Sequence, residues 1–271
     1  MLNQSEKANA YRKLHERTGV FLLPNPWDIG TARILAHLGF EALATTSAGH
    51  AFSIGQRDNA VSRNQVLEHI AAISSATDLP VNADLENGFG DAPEVAAETI
   101  RLAAAAGASG GSIEDATGKS DNPIYDLKHA AERVRAAAEA AHAQKFPFML
   151  TARVENYLHG RLNLKDTIER LQAYQEAGAD VLYAPGLTTK EDIATVVKSV
   201  DRPVNVLMGL AGVRFTKPEL EAIGVKRISV GSALCRAALG AFLRAAKEMK
   251  ERGTFNFADE AVSFRDISAM F

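Results

Sequence analysis

The sequence predicts a single (β/α)8 barrel of the α/β class, and three observations predict it. Short β-branched or apolar runs alternate with longer helical stretches from Val20 to about Arg252, the pattern of parallel βαβ construction. Eight strand runs can be counted, a number that suits a closed barrel better than an open sheet. The length, 271 residues, is one at which such a barrel encloses one large core as a single domain.

The strands are expected at 20–23, 42–45, 81–83, 111–113, 148–151, 181–183, 204–206 and 227–230, each short and apolar as strands buried on both faces should be. Helices are expected at 62–76, 93–106, 127–144, 164–177 and 233–252. Ser62 caps the first of these, Pro93 sits in a first turn, and Gly107 and Gly178 terminate Ala-rich helices. A short echo, Asp78-Leu79-Pro80-Val81-Asn82 against Asp201-Arg202-Pro203-Val204-Asn205, enters the third and seventh strands four units apart, as a half-barrel duplication would. Residues 253–271 fall outside the eight units as a C-terminal helical and aromatic extension with four phenylalanines. Such rings are expected to pack on the barrel or on a neighbouring subunit.

Composition narrows the function classes. An apolar fraction of 46%, a charged fraction of 23% and a net charge of −3 leave no electrostatic reason to seek nucleic acid or a membrane surface. Neither a signal-like stretch nor a span of roughly 18 apolar residues is present, so a cytoplasmic location is expected. The single cysteine, Cys235, excludes an internal disulfide and agrees with a reducing compartment. Small molecules and copies of the chain itself remain as partners.

In such barrels the loops after the strands form the active-site face, and acidic residues gather there. Asp58 follows the second strand, Asp84 and Glu86 the third, and Glu114 with Asp115 the fourth. Asp84 and Glu86 are two apart, so continued strand geometry would aim them to one side. A lone carboxylate is usually a solvated loop acid; carboxylates at three successive strand ends repel strongly and stay ionised only beside a cation. Mg²⁺ is the expected occupant, with Asp84 binding directly and Glu86 and Glu114 through water. After the fifth strand, Arg153 can grip a carboxylate or phosphonate with two parallel hydrogen bonds, or pair with a loop acid such as Glu155. Thr45-Thr46-Ser47-Ala48-Gly49 offers hydroxyls and backbone N–H groups to an anionic substrate end. His50 in the same loop is a candidate for proton transfer.

On these residues the chain resembles the isocitrate lyase/phosphoenolpyruvate mutase superfamily from about Leu23 to Leu239. The most specific match is Asp84-Leu85-Glu86-Asn87-Gly88-Phe89-Gly90, followed by Ile113-Glu114-Asp115 and Ala152-Arg153-Val154-Glu155. Leu23-Pro24-Asn25-Pro26-Trp27-Asp28 and the segment from Thr45 to Asp58 match as well. The resemblance implies that Asp58, Asp84, Glu86 and Glu114 surround Mg²⁺ and that Arg153 holds a substrate carboxylate. It also implies that backbone around Thr46, Ser47 and Ala48 binds the carboxylate or phosphonate of a 2-oxo acid, whose enolate the site stabilises. Homotetramers, as dimers of helix-swapped dimers, are implied too.

Departures from the family pattern rank the activities. Its lyases carry a Lys-[Lys/Arg]-Cys-Gly-His motif after the fourth strand, whereas residues 116–125 here contain neither cysteine nor histidine. Cleavage of the 2-methylisocitrate type is therefore disfavoured, and Cys235, at the start of the last helix, reads as a small buried thiol. Lys119 and Asn122 are candidate loop groups for a transferred phosphoryl unit, which keeps phosphonopyruvate hydrolase and phosphoenolpyruvate mutase chemistry as second choice. The mutase's tryptophan and Gly-Ser-Gly-Leu stretch are replaced by Ala44 and Thr45-Thr46-Ser47-Ala48. Decarboxylation of an oxaloacetate-like acid, which loses CO2 directly to a stabilised enolate, ranks first. Against it, the family's decarboxylases use a late histidine, and Met208-Gly209-Leu210-Ala211-Gly212-Val213 has none. A barrel that binds 2-oxo acids without turning them over is the reading from another class.

Overall fold

Backbone pairing realises the barrel strand by strand. A computed structural model describes residues 2–271. Its strands are β1 (Phe21–Leu23), β2 (Leu43–Ala44), β3 (Val81–Asp84), β4 (Gly110–Glu114), β5 (Met149–Arg153), β6 (Val181–Tyr183), β7 (Val204–Leu207) and β8 (Arg227–Ser229). All are parallel and run in the order β1-β8-β7-β6-β5-β4-β3-β2. Between β1 and β2 the Ala44 N–H donates to the Pro24 carbonyl at 3.0 Å, so the ring is nearly closed.

Each expected strand is found within a residue or two of its expected bounds; β3, β4, β5 and β7 run one or two residues further at their C-terminal ends, β7 onto Leu207. The first three of these gain a charged residue that an apolar pattern leaves out: Asp84, Glu114 and Arg153. Register sets Glu114 opposite Arg153, while Asp84 ends β3 opposite Ser112, two residues earlier on β4.

The helices are α1 (Gln4–Glu16), α2 (Ile29–His37), α3 (Ser47–Ser53), α4 (Arg63–Ala76), α5 (Pro93–Ala105), α6 (Leu127–His142), α7 (Leu164–Glu176), α8 (Lys190–Lys198), α9 (Lys217–Ala222), α10 (Ala233–Arg252) and α11 (Phe264–Ser268). Ser62 closes a capping box with Gln65, and Gly107 and Gly178 adopt φ of 101° and 105° where their helices end. None of the described helices is long and apolar enough to cross a membrane.

Helix α1 has no counterpart among the expected elements. A capping box of Asn3 and Glu6 starts it, and it buries Tyr11 and Leu14 against Phe21, Leu23, Ala44, Met149 and Val181 across the N-terminal end of the barrel. Beneath the site, the buried Arg227 donates to the Tyr11 hydroxyl at 2.8 Å, to Asn205 Oδ1 at 2.8 Å and to Thr151 Oγ1 at 3.1 Å. Burial, with Arg227 beside it, pushes His15 down to about 3, so its imidazole is neutral.

The far end of the chain is different. Of α10 only Cys235 is buried, and Leu239, Leu243, Met249 and Phe242, the last 66% exposed, face outward. On the barrel wall, Leu22 of β1 is 39% exposed, because α10 does not lie over it. The aromatic tail covers little of itself: Phe255, Phe264 and Phe271 remain exposed, Phe264 at 87%. The barrel of the same chain therefore does not shelter these rings.

One buried network ties β4 to the outer helices. Asp115 accepts from Tyr174 Oη at 2.7 Å, Arg170 Nη1 at 3.1 Å and the Glu155 N–H at 2.8 Å. Burial pushes its carboxyl upward while these donors oppose the shift. Removing one side of a buried ion pair strands the other charge. Asp115→Ala is therefore expected to lower the free energy of unfolding by about 3–5 kcal/mol, read from urea denaturation. A loss below about 1 kcal/mol, the range of an exposed pair, would show that β4 is held otherwise.

Candidate active site

The C-terminal ends of β2 to β5 converge on one cleft of about 420 Å³, lined by Ser47, Asp58, Glu86, Glu114, Arg153, Glu155 and His159 among others. Below it a chamber of about 50 Å³ descends between the strands toward Asn82, Asn205 and Arg227. Arg153 lines both spaces, and Asp84 forms part of the lower one.

The turn after β3 does not follow strand geometry. Glu86 has φ +50° and Phe89 φ +63°, the left-handed region that costs a non-glycine residue about 1–2 kcal/mol. Asp84 ends β3, but Glu86 is brought to the mouth by a sharp turn after the buried Leu85 and not by alternation along a continued strand, which corrects the sequence expectation. The surroundings hold that turn in place. Arg133 donates to the carbonyls of Gly90, Asp91 and Asn87, and the Thr99 hydroxyl donates to the Gly88 carbonyl at 2.8 Å. Gly88, at φ +79°, lies so close to α5 that a Cβ would stand 3.1 Å from Ala96 Cα, so only glycine fits.

Arg153 organises the charges. Its Nη1 lies 3.2 Å from Glu114 Oε2 and 3.5 Å from Asp84 Oδ1, its Nε pairs with Glu155, and its plane stands 5.6 Å from the Tyr183 ring centroid. Asp84 Oδ2 accepts from the Ser47 N–H at 2.9 Å, and the Asp84 N–H donates to Thr45 Oγ1 at 2.8 Å. One guanidinium does not offset the surrounding acids. Burial, then Asp84 and Asp58, push Glu86 up to about 8. Burial lifts Glu114 well above the carboxylate range despite Arg153, and burial with Asp84 lifts Asp58. Glu86 Oε1 is buried without a hydrogen-bond partner, and Asp84 Oδ1 has only its long contact with Arg153.

Such a set of orphaned oxygens and proton-retaining carboxyls fits a hard divalent cation. Among the described residues no three His, Cys, Asp or Glu side chains close directly on one point. The mouth therefore suits a cation that keeps several waters rather than one caged by protein alone.

The residues singled out from sequence separate into two groups. Asp58, Asp84, Glu86, Glu114, Arg153 and Ser47 come together at the mouth. Thr46 caps α3 beside them, accepting from the Gly49 N–H at 3.2 Å, and Ala48 sits in the first turn, where its N–H lacks an intrahelical acceptor. Lys119 and Asn122 do not line the cleft. Lys119 Nζ pairs with Asp91 at 2.7 Å, mostly in solvent, and the Asn122 carbonyl accepts from the Thr117 hydroxyl. Their segment folds back on itself through a bridge between Ala116 and Ile124, which a linear pattern does not disclose.

His50 is also elsewhere. It stacks on His69 with centroids 3.9 Å apart and 14° between planes, and both line a different cleft with Trp27 and Ile54. Burial lowers both, His69 to about 3, so the pair is neutral packing rather than a proton carrier at the mouth. Cys235 is buried with Sγ 3.9 Å from the Gly49 carbonyl, and burial pushes its thiol up, as a structural thiol requires. Two contributors were missed in the sequence. Asn25 joins the barrel ends by donating to the Thr45 carbonyl and accepting from the Val230 and Gly231 N–H groups. His159 lines the cleft from the 3₁₀ turn Asn156–His159; its signal was the four-residue spacing from Glu155.

Comparison with known proteins agrees with this geometry. The family model for phosphoenolpyruvate phosphomutase matches residues 11–250. A crystal structure from Burkholderia cenocepacia J2315 is 63% identical, with a TM-score of 0.96 over 98% of this chain and 95% of that one. Phosphonopyruvate hydrolase from Variovorax sp. (strain Pal2) is 33% identical over 75% of this chain and 73% of its own length. A structure of phosphonopyruvate hydrolase in complex with oxalate and Mg²⁺ superposes with a TM-score of 0.86 at 25% identity, covering 99% and 95% of the two chains. Oxaloacetate decarboxylase from Rhodopseudomonas palustris (strain BisA53) is 30% identical over 66% of this chain and 62% of its own length. The acid-rich barrel mouth and the span of the match lead to one conclusion: the chain belongs to the phosphoenolpyruvate phosphomutase family, within the isocitrate lyase/phosphoenolpyruvate mutase superfamily.

Proposed function

We propose that this chain is a Mg²⁺-dependent enzyme that breaks or makes a bond next to the carbonyl of a small 2-oxo acid through an enolate, with decarboxylation of an oxaloacetate-type acid as its reaction. The carrying observation is the mouth itself, where Asp58, Asp84, Glu86 and Glu114 crowd one guanidinium and hold more negative charge than Arg153 offsets. When bound there, Mg²⁺ supplies Lewis acidity to the oxygens of the substrate and a positive field for the enolate. Asp84 is the direct ligand in this reading, and Asp58, Glu86 and Glu114 hold the surrounding waters. Arg153 grips the substrate carboxylate in a planar fork that lysine does not copy. The N–H groups of Ser47 and Ala48, with Thr46 capping them, orient its other end.

A second reading, phosphonopyruvate hydrolysis or phosphoenolpyruvate mutation, draws support from the 33% identical hydrolase. It needs Lys119 and Asn122 at the transferred group, and the ion pair of Lys119 with Asp91 speaks against it. Cleavage of the 2-methylisocitrate type lacks its loop acid. We also propose a homotetramer built from dimers that exchange α10: the bare Leu22 and the outward Leu239 and Phe242 support it, as complementary apolar surfaces left uncovered within one chain.

Incubation with oxaloacetate, phosphonopyruvate and 2-methylisocitrate, with Mg²⁺ or with a chelator, should give Mg²⁺-dependent turnover that is fastest with oxaloacetate. Glu114→Gln and Arg153→Lys should each lower kcat/KM by on the order of 10²-fold or more. No turnover of any 2-oxo acid, together with oxalate affinity unchanged in Glu114→Ala, would favour a binding barrel instead.

The pH dependence follows from Glu86. Unfolded, its carboxyl ionises near 4.5; folded without a cation, it keeps its proton up to about 8. Between these values the folded chain binds more protons, so its stability falls as pH rises. Thermal unfolding of chelator-treated protein should show that decline from pH 5 to 8, and Mg²⁺ should remove it. Light scattering on a column should report a tetramer, and Leu239→Asp with Phe242→Asp should yield smaller species.

A further inference from the structure

We infer that His159 is the proton donor to the carbon end of the enolate, delivering its proton from the β5 side of the cleft rather than from the loop after β4. The inference rests on the proposed reading of the mouth, which leaves that donor unidentified. Among the described residues, the titratable side chains lining the cleft are Asp58, Glu86, Glu114, Arg153, Glu155 and His159. The first three belong to the cation's oxygen set, and Arg153, the residue that grips the substrate carboxylate in that reading, is a guanidinium that does not give up its proton and pairs with Glu155. Histidines elsewhere do not compete: His50 and His69 stack in another cleft, and His15 lies under the barrel floor.

The backbone positions His159 for the task. The Asn156–His159 turn begins directly after Glu155 and stops at Gly160, whose φ of +72° turns the chain away. This leaves the imidazole on the cleft wall with its side chain 33% exposed, in contact with both the cleft and solvent. Nε2 lies 3.9 Å from Glu155 Oε2, while the other oxygen of that carboxylate is held by Arg153. Glu155 is itself fixed, its N–H donating to Asp115 at 2.8 Å. A carboxylate anchored on one side and facing an imidazole on the other orients the ring toward the cleft.

The step balances. Loss of CO2 leaves the electron pair of the broken C–C bond in the enolate. The enolate π electrons form the new C–H bond, the N–H pair stays on the imidazole, and solvent reprotonates the ring through its exposed face.

Run in reverse, the same step exchanges the methyl protons of pyruvate, which makes it measurable without knowing the forward substrate. With Mg²⁺-loaded protein in D2O, exchange followed by NMR should fall on the order of 10²-fold in His159→Gln, while oxalate affinity measured by calorimetry stays unchanged. In His159→Ala, added imidazole should restore part of the rate, which a purely structural role would not allow. Near wild-type exchange in His159→Gln, or loss of exchange together with oxalate binding and no rescue, would overturn the inference. Wild-type protein that binds oxalate without exchanging pyruvate protons would also overturn it. Failure of wild-type protein to bind oxalate at all would instead bring down the reading of the mouth.

Discussion

The guanidinium of Arg153 is the point on which the mouth depends. It stands at the last rung shared by β4 and β5, opposite Glu114 in register, and touches acids from three strand ends. Without it, the crowded carboxyls of Asp84, Glu86 and Glu114, with Asp58 at the rim, would face one another in a partly enclosed space, where like charges raise each other's proton affinity. With it, the cluster is partly offset yet remains short of positive charge. That imbalance makes the mouth receptive to a cation, and a planar donor fork beside a cation suits a small oxygen-rich anion.

The barrel makes this arrangement affordable by placing its machinery where strands end. Parallel strands in register put Glu114 and Arg153 on one rung and Asp84 at the end of the neighbouring strand. Asp115 points to the outer side of β4 and grips α7 through Arg170 and Tyr174, while its neighbour Glu114 points inward. The last residue of β4 and the one that follows it thus serve chemistry and stability on opposite sides.

Most of the fold was legible because parallel strands buried on both faces are written as short apolar runs, and those eight runs stand where the strands are. Legibility fades where a different force decides. The strands extend onto Asp84, Glu114 and Arg153 because hydrogen-bond register outranks side-chain polarity there. Helix α1 went unassigned because its apolar face is small, and its burial depends on an open barrel end that only the assembled fold provides. Of the site, acids and arginine at strand ends were readable as a group. The left-handed Glu86 was not, since nothing in its side chain announces φ +50°. Lys119 was misplaced because its partner, Asp91, is 28 residues away in the chain. His159 has only its four-residue spacing from Glu155 as a signal, and the turn Asn156–His159 that brings it to the cleft is not written in that spacing.

Asp91 acts as a mooring post. Its carboxylate receives Lys119 and the Tyr125 hydroxyl from the two ends of the segment after β4, and its carbonyl receives Arg133, whose guanidinium lies 4.5 Å from the Tyr125 ring centroid. The same arginine clamps the turn that carries Glu86. Grafting a relative's loop onto this scaffold would therefore alter more than the graft: unless the transplant brought its own ties to Asp91 and Arg133, the third-strand turn would slacken with it. Loop and turn must be exchanged as one cassette.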